Sequence, residues 1–561
     1  QTIIVKDGRI MSLMGSLWTG VSGLQTSNNA LNTTAHNMSN LDTTGYTRQQ
    51  VAQGTRTYVT IAKSRPNWKQ YGLGVSYTLT RQERDYFLDL NYRRESGRSA
   101  FYDVATNTME EVEYILGESN EGHEFSESLS NFWTAIQELS KDPTSSVNQN
   151  LFVTRAHEFT TRASAVYTSL CQYQDNLNQS IVKEVNNINK YAEEIELLNQ
   201  KIMSVEAGGI EHANDLRDRR NLLLDKLAQL GNISCKEDAS GYVTVRFENV
   251  NIVQGGLVNK MELYTDPQTG FYTPYWKMLA NGSYDEKGKM VVTEADIQSA
   301  LVYDLSKEIS SDLNTDIGSL KCMLLVRGDH RATYKEIKDY PPDADPNDPS
   351  QKVEGWYDRN ISQSIVMNIQ AEFDQLINAV VTKVNDILAE AAESAGAADV
   401  SDYLRDENGN PYQLFVKTIE GDDWTVSNIT VNGVLRQNPS LLSFRLPDHS
   451  EDNATIEKLK QAFEEKIYTL NPNVATPVGF TDYYKNLVSQ VANSGSVFRG
   501  IQDSQTVATD ALLYAREQVV GVSSDEELQN MIKFQNAYNA SSRYINVISE
   551  MLEHILTTLG R

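Results

Sequence analysis

The sequence has little cysteine and no long apolar run. Only three cysteines, Cys171, Cys235 and Cys322, occur in 561 residues, and none has the CxxC spacing of a zinc or redox site. Such a sparse, odd set excludes a disulfide framework and indicates free thiols. No stretch approaches the ~18 apolar residues of a membrane span, and the start of the chain lacks the pattern of a secretory signal.

Positive charge is also scarce. The 50 lysines and arginines are outnumbered by 75 aspartates and glutamates, which gives a formal net charge of −25 at pH 7. Because this excess repels phosphate backbones and anionic lipid, we expect neither nucleic acid nor a membrane surface among the main partners. The chain is 40% hydrophobic, which suffices for packed cores, and its length predicts roughly two to four domains.

The signatures of catalytic and cofactor sites are missing as well. The sequence contains no HExxH, GxSxG or P-loop motif, and its seven histidines are scattered. We therefore predict no catalytic residue, no cofactor and no metal site, and a chain that is not an enzyme.

Residues 17–38 have the apolar repeat of a helix, in alternating steps of four and three residues. Most other positions are serine, threonine or asparagine, which are mediocre helix formers. A helix with a narrow stripe and weak propensity is marginal alone, so we expect it to need a partner. Its apolar positions, which we call the N-terminal seam, are Leu17, Val21, Leu24, Leu31, Ala35 and Met38.

The C-terminal segment has a matching repeat from residue 528 onward. Ser523 and Ser524 precede three acidic residues, which is typical of a helix N-terminus, and Gly560 ends the pattern. The apolar positions of this C-terminal seam are Leu528, Met531, Phe534, Tyr538, Ile545, Ile548, Leu552, Ile555, Leu556 and Leu559.

Between the termini the pattern predicts a helical bundle and a β-rich region. Helices are predicted at 99–117, 125–140, 146–205, 213–230, 361–393, 455–468 and 480–520, and strands at 242–247 and 318–329. The predicted fold is multidomain and mainly α, with terminal coiled-coil-type helices, a central helical bundle and an inserted β-rich domain. The predicted boundaries are 11–45 plus 520–561 for the terminal helical domain, 46–232 plus 356–519 for the bundle, and 233–355 for the insert.

The most specific segment is the junction at residues 36–49, HNMSNLDTTGYTRQ. The helix is predicted to stop near Asn40, a turn to form at Thr43–Gly45, and the chain to leave as an extended strand from Tyr46. Gly45 supplies the φ freedom that such a reversal often requires.

This junction, together with the two seams, resembles the flagellar axial proteins of bacteria, the family of rod, hook and hook-associated subunits. The shared N-terminal pattern of Asn-x-x-Asn followed by Thr-Gly-Tyr is matched by Asn37, Asn40, Thr44, Gly45 and Tyr46. Residues 525–552 are similar to the closing helix of that family. Within the family the chain is most similar to hook-associated proteins, through residues 45–49, 214–232, 318–329 and 481–491.

The resemblance implies a structural subunit that forms the junction between hook and filament and self-assembles through its terminal helices. It also implies terminal segments that are disordered in the free monomer and fold on assembly. Export through the flagellar type III apparatus without a cleaved signal, and an extracellular location in the flagellum, are implied as well. The implied partners are other copies of the chain, the hook protein, the second hook–filament junction protein, and an export chaperone on the C-terminal helix. Residues 1–10 depart from the family, so we expect the natural start at Met11.

Two alternatives stay open at this point. The chain resembles other axial proteins, such as the hook protein, in the same motifs. It also fits a flagellar-like protein whose β-rich insert is an enzyme or an adhesin. A zinc- or carboxylate-lined cleft within 233–355 would favour the second alternative, but no motif there indicates one.

Overall fold

The computed structural model describes residues 9–63, 68–117, 124–209, 211–284, 290–341, 344, 348–394, 403–446 and 450–559. Most of this part of the chain is α-helical, which confirms the predicted mainly α class. No described helix combines a length of 18 residues with the apolarity needed to cross a lipid bilayer. The helices are α1 (Arg9–Ser39), α2 (Tyr86–Leu116), α3 (Phe125–Leu139), α4 (Ser146–Glu206), α5 (Asn214–Leu230), α6 (Glu294–Ile297), α7 (Ser319–Arg327), α8 (Ile365–Ser394), α9 (Gly433–Gln437), α10 (Asn453–Glu464), α11 (Phe480–Val520) and α12 (Ser524–Leu559).

The strands are short, and all of their pairings are antiparallel. Strands β5–β8 form a four-stranded sheet in sequence order, and the pairs β1–β4, β2–β3, β9–β10, β11–β12 and β13–β14 form two-stranded sheets. Their bounds are β1 (Gln49–Thr55), β2 (Tyr58–Lys63), β3 (Trp68–Gly72), β4 (Val75–Gln82), β5 (Ile233–Glu237), β6 (Val243–Phe247), β7 (Val250–Gln254), β8 (Leu257–Val258), β9 (Met261–Thr265), β10 (Tyr272–Trp276), β11 (Ser283–Tyr284), β12 (Met290–Val291), β13 (Phe415–Lys417) and β14 (Ile429–Val431).

The chain divides into two compact units, neither of which is continuous in sequence. The first comprises residues 1–96, 188–259 and 506–561, and the second comprises 97–187 and 260–505. The three-domain division stays a prediction, because compactness alone does not show which parts fold independently.

In the four-stranded sheet of the first unit, β6 has the alternation expected of a strand with one buried face. Val243, Val245 and Phe247 of β6 are buried, whereas Arg246 between them is exposed. The predicted strand at 242–247 is therefore confirmed. Asn199 of α4 donates from Nδ2 to the Val243 carbonyl oxygen at 2.9 Å, which ties the sheet to that helix.

The core of the second unit combines aliphatic side chains with a cluster of phenylalanine rings. Rings from α3, α4, α8, α10 and α11 pack together there, with edge-to-face pairs such as Phe125 on Phe373 at 5.0 Å between centroids. These helices carry the apolar repeats that predicted them: 146–205 matches α4, and 480–520 matches α11.

Two predictions were wrong in this region. The predicted strand at 318–329 is instead helix α7 over residues 319–327, because a short buried apolar run has no period that separates a strand from a helix. The helix predicted at 99–117 begins earlier, at Tyr86. The charged residues that obscured its start are paired: Arg93 with Asp225 and Arg98 with Asp316, at 2.7 and 2.9 Å.

Candidate assembly site at the chain termini

Helices α1 and α12 form an antiparallel pair within the first unit. Gly20 lies against Ile545, Gly23 against Ser541, and Asn37 against Glu527, so the residue numbers rise along one helix as they fall along the other. A Cβ atom at Gly20 or Gly23 would lie 2.8 Å from a side-chain atom of α12. The two backbones therefore approach closely through small residues.

The side of α1 that is buried consists of small and polar residues. Besides Gly20, the buried positions of this helix are Ser22, Thr26, Ser27, Ala30, Thr34 and Asn37. Some of these polar side chains hydrogen-bond to the neighbouring strands: Ser22 Oγ accepts a hydrogen bond from the Val75 backbone N–H of β4 at 3.2 Å. The serine and threonine residues that weaken α1 as a helix thus supply most of the small side chains on its buried side.

The predicted N-terminal seam lies beside this buried side. Leu17, Val21, Leu24, Leu31 and Met38 are half-buried, and Ala35 is exposed. The large apolar residues of the N-terminal seam are therefore only partly covered within one chain.

The C-terminal seam is divided between covered and open positions. Ile548 is buried, and Met531, Phe534, Tyr538, Ile545, Leu552 and Ile555 are half-buried. Leu528 and Leu556 are 44% and 72% exposed, and the Leu559 side chain lies outside the described residues. Three further apolar residues of α12, Ile532, Val547 and Met551, are 59%, 46% and 50% exposed, and the sequence pattern did not single them out.

The junction motif connects the two termini through a polar cluster, which we call the clasp: Asn37, Tyr46, Arg48, Gln49 and Glu527. Asn37 and Glu527 are buried, and the other three are half-buried. Asn37 Oδ1 accepts hydrogen bonds from Tyr46 Oη at 2.7 Å and from the Gln49 backbone N–H at 3.0 Å. Asn37 Nδ2 donates to the Gln49 carbonyl oxygen and, at 3.2 Å, to Glu527 Oε2. The Asn37 side chain thus hydrogen-bonds both to the residues that follow the Thr43–Gly45 turn and to the first turn of α12.

Glu527 is the charged centre of the clasp and is only 2% exposed. Its Oε1 accepts from Arg48 Nε at 2.9 Å, and Arg48 Nη1 also lies 2.8 Å from Glu526. Burial, followed by the charges of Asp215, Asp218 and Glu527, raises the pKa of Tyr46, so its hydroxyl stays protonated and donates. The sequence placed Glu527 in an acidic first turn, but no local signal showed that it would be buried against residues near position 40.

The remaining motif residues shape the turn. Asn40 Nδ2 donates to the His36 carbonyl oxygen at 3.0 Å, which caps α1 close to the predicted stop. Thr44 is exposed, and Gly45 has a φ of 80°, a conformation that favours glycine. The turn predicted at Thr43–Gly45 is confirmed, because the Tyr46 backbone N–H donates to the Thr43 carbonyl oxygen at 3.1 Å.

The turn is also attached to α5. The Thr47 backbone N–H donates to Asp218 Oδ2 at 3.0 Å, and Gly45 lies against the Leu222 side chain. Burial raises the pKa of Asp218 to about 6, against the lowering effect of its hydrogen bonds to Thr47 and of Arg84. The segment 214–232, which contributed to the family resemblance, therefore supports the junction motif directly.

Replacing Gly20 with leucine is expected to force α1 and α12 apart. Because the space beyond the Gly20 Cα is filled by Ile545 and Tyr544, the larger side chain should cost about 1–3 kcal/mol in overpacking. Hydrogen exchange of α1 amides in isolated flagella that carry the chain measures the loss. Gln25→Leu, at an exposed position of the same helix, is the control and should leave exchange unchanged. Equal acceleration in both variants would contradict the close packing.

Three protein-family models match separate parts of the chain. The model of the flagellar hook-associated protein FlgK helical domain matches residues 109–400. The flagella basal body rod protein family matches residues 17–47, and the C-terminal family of the basal body rod proteins FlgEFG matches 518–558. The match at 17–47 covers most of α1 and of the junction, and the match at 518–558 covers nearly all of α12.

Individual relatives match over nearly their full length. Flagellar hook-associated protein 1 of Bacillus subtilis is 26% identical over 538 residues, covering 95% of both chains. The protein of the same name from Salmonella typhimurium is 22% identical over 569 residues, covering 96% of this chain and 98% of the relative.

The fold has a solved counterpart. The flagellar hook junction protein FlgK from Burkholderia pseudomallei superposes with a TM-score of 0.52 at 12% identity, covering 78% of this chain and all of that one. The fold, the terminal motifs and a helical-domain match over more than half of the sequence agree. The chain belongs to the FlgK family of flagellar hook-associated proteins.

Proposed function

We propose that this chain is a structural subunit of the junction between the flagellar hook and filament, and that it assembles through α1 and α12. The observation that carries the proposal is a pair of exposed apolar rows on the outward side of α12, beside a clasp that fixes the helix to the junction motif. The open rows are the i, i+4 pairs Leu528 with Ile532 and Val547 with Met551. Exposed apolar rows of this kind mark interaction surfaces. The full-length similarity to hook-associated proteins supports the same reading.

The proposed occupants of this surface are other axial components. We infer that neighbouring copies of the chain cover the open rows after assembly, and that the hook protein and the second junction protein are the adjoining subunits. Before assembly, an export chaperone would cover the same side of α12, because an unmasked apolar row promotes aggregation. The N-terminal seam, which is half-buried in the single chain, would be covered at the same step.

We further propose that the chain reaches the outside of the cell through the flagellar type III apparatus without a cleaved signal. All three cysteines are free thiols, so no cross-link would obstruct the passage of an unfolded chain. The proposed terminal domain is 11–45 plus 520–561, with 46–232 plus 356–519 as the bundle and 233–355 as the outer insert. The proposed role is structural and requires no catalysis, cofactor or metal.

The test introduces charge into the open rows. The double variant Ile532→Asp, Val547→Asp is expected to fold but to lose incorporation by about tenfold or more, because each aspartate would be buried unpaired on assembly. The measurement is immunogold labelling of flagella in a strain that lacks the native gene. Val147→Asp, on α4, is the matched control, since Val147 is 72% exposed and lies at a helix N-terminus where aspartate is favourable.

The same strain separates the proposal from the hook-protein alternative. Loss of a junction subunit is expected to leave hooks without filaments, whereas loss of a hook protein would leave no hooks. Normal labelling of the double variant would contradict the role given to the open rows of α12.

A further inference from the structure

The second unit contains a cavity of about 1130 Å³ to which neither terminal helix contributes. Its walls are the β9–β10 hairpin, α6, the segment 301–305 and the C-terminal end of α7 with the residues that follow it. This volume lies just above the roughly 300–1,000 Å³ of typical ligand pockets, so it is large enough for a small molecule. The cavity lies within the region predicted as an insert, where the sequence showed no motif.

Aromatic and aliphatic side chains form the inner part of the cavity. Phe271 and Ile297 are buried, while Tyr264 and Leu301 are half-buried and line the same space. The guanidinium carbon of Arg327 lies 4.7 Å from the Phe271 ring centroid, so that ring already has a cation on one face. Tyr264 is half-buried and lines the cavity, so its ring can stack on a ligand.

Arg327 is a buried cation with an unused donor group. It is 2% exposed, and burial lowers its pKa to about 10 against the opposing effect of Asp329. Nη1 donates to Asn178 Oδ1 at 2.6 Å and to the Tyr272 carbonyl oxygen, and Nε donates to the Gly328 carbonyl oxygen. Within the described residues, Nη2 has no hydrogen-bond acceptor, and no carboxylate oxygen lies within 4.0 Å of the guanidinium.

The carboxylates around the cavity differ in whether they already have hydrogen-bond or ion-pair partners. Asp266 accepts hydrogen bonds from residues 268 and 269 of its own turn, and Asp304 accepts from the backbone and hydroxyl of Ser306. Glu294, by contrast, is exposed, and in the described part of the chain it has no hydrogen-bond or ion-pair partner. The cavity thus offers a free donor at Arg327 and a free acceptor at Glu294.

We propose that this cavity binds a neutral carbohydrate. A sugar hydroxyl can accept from Arg327 Nη2 while another donates to Glu294, and the apolar face of a pyranose ring can lie on Tyr264. An anionic ligand is disfavoured because five carboxylates line the same cavity, namely Asp266, Glu294, Asp304, Asp329 and Glu336. A cationic group is repelled beside the buried Arg327 guanidinium, so that position favours a neutral acceptor. The chain would then carry a glycan-binding site in addition to its role in assembly.

Calorimetric titration of the purified full-length chain tests the proposal with trisaccharides of matched length. The neutral probes are maltotriose and triacetylchitotriose, the cationic probe is the glucosamine trimer, and the anionic probe is trigalacturonic acid. At least one neutral trimer is expected to bind about tenfold more tightly than either charged one. No measurable binding of either neutral trimer, or equal binding of a charged one, would overturn the assignment.

Variants locate the binding in the cavity. Tyr264→Leu is expected to weaken the neutral trimer by about tenfold, and Glu294→Gln by about threefold. The controls are Tyr114→Leu and Glu308→Gln, which make the same exchanges at exposed positions of the same unit outside the cavity. Equal weakening by cavity and control variants would place the binding elsewhere and overturn the proposal. Because the measurement needs no flagella, its outcome is independent of the proposed role in assembly.

Discussion

Replacing Glu527 with alanine is expected to abolish incorporation of the chain into flagella. The carboxylate is 2% exposed, receives Arg48 Nε at 2.9 Å and receives Asn37 Nδ2 at 3.2 Å. Removing one partner of a buried pair costs about 3–5 kcal/mol, because the other partner stays desolvated without its counter-ion. Arg48 is 20% exposed and can turn toward Glu526, so we expect the lower end of this range.

The measurement is the amount of the variant in purified flagella, by immunoblot, relative to the amount produced in the cell. A loss of about 3 kcal/mol corresponds to more than a hundredfold in an assembly constant. Glu526→Ala is the control: this carboxylate is 59% exposed, and a surface pair of that kind contributes roughly 0–1 kcal/mol. Comparable losses in both variants would contradict the clasp as the connection between α12 and the junction motif.

The second large effect concerns pH and the second unit. Glu372 on α8 is fully buried, and burial raises its pKa to about 7 even though Asn471 Nδ2 and Gln490 Nε2 donate to it at 2.7 and 3.1 Å. Within the described residues no cation lies within 4.0 Å of this carboxylate. The folded chain therefore holds a proton that the unfolded chain, with a pKa near 4.5, releases.

Because the pKa of Glu372 is higher in the folded than in the unfolded chain, stability falls as the pH rises. The stability contributed by protonated Glu372 is fully present below pH 4.5 and is lost as the pH rises through about 7. Asp374, also buried on α8, has its pKa raised to about 7 by burial and adds a loss of the same sign. Glu372→Gln removes one of these two ionisations. The free energy of unfolding of the variant should therefore exceed that of the wild type by about 3 kcal/mol at pH 9 and differ little from it at pH 4.

Urea unfolding at the two pH values measures this difference. Tryptophan fluorescence reports mainly on the second unit, which contains four of the six tryptophans, namely Trp133, Trp276, Trp356 and Trp424. Glu393→Gln on the same helix is the matched control, because Glu393 is exposed and its replacement should show no dependence on pH. A Glu372→Gln advantage that is equal at both pH values would contradict the buried, protonated carboxyl.

In the terminal helices, apolar periodicity predicted the secondary structure but not the contact surface. The repeat at 17–38 predicted a helix, and α1 spans that segment. It did not predict which side would meet α12, because the contact is made by Gly20 and Gly23, whose small size is invisible to a pattern of large apolar residues. Seam residues such as Leu24 stay half-buried in the single chain, and their role in assembly is a proposal.

In the middle of the chain, too, elements with long local periodicity were predicted, whereas those that depend on distant contacts were not. The long helices α4 and α11 were predicted closely, since dozens of residues repeat one period. Helix α7 was mistaken for a strand, because nine residues between two glycines carry too little periodic information. The start of α2 was missed because Arg93 and Arg98 look solvent-exposed in sequence and are buried only through distant aspartates.

The sequence by itself determined the mainly helical class, the extents of the long helices, and the junction motif that marks the family. These properties depend on periodicity and turn chemistry within a few neighbouring residues. Only the tertiary structure decided that Asn37 would bind Glu527, a residue 490 positions away, that Glu372 would be buried without a cation, and that Arg327 would line a cavity. Each of these depends on burying a polar group against distant segments, and the free energy of that burial is set by neighbours that no local pattern contains.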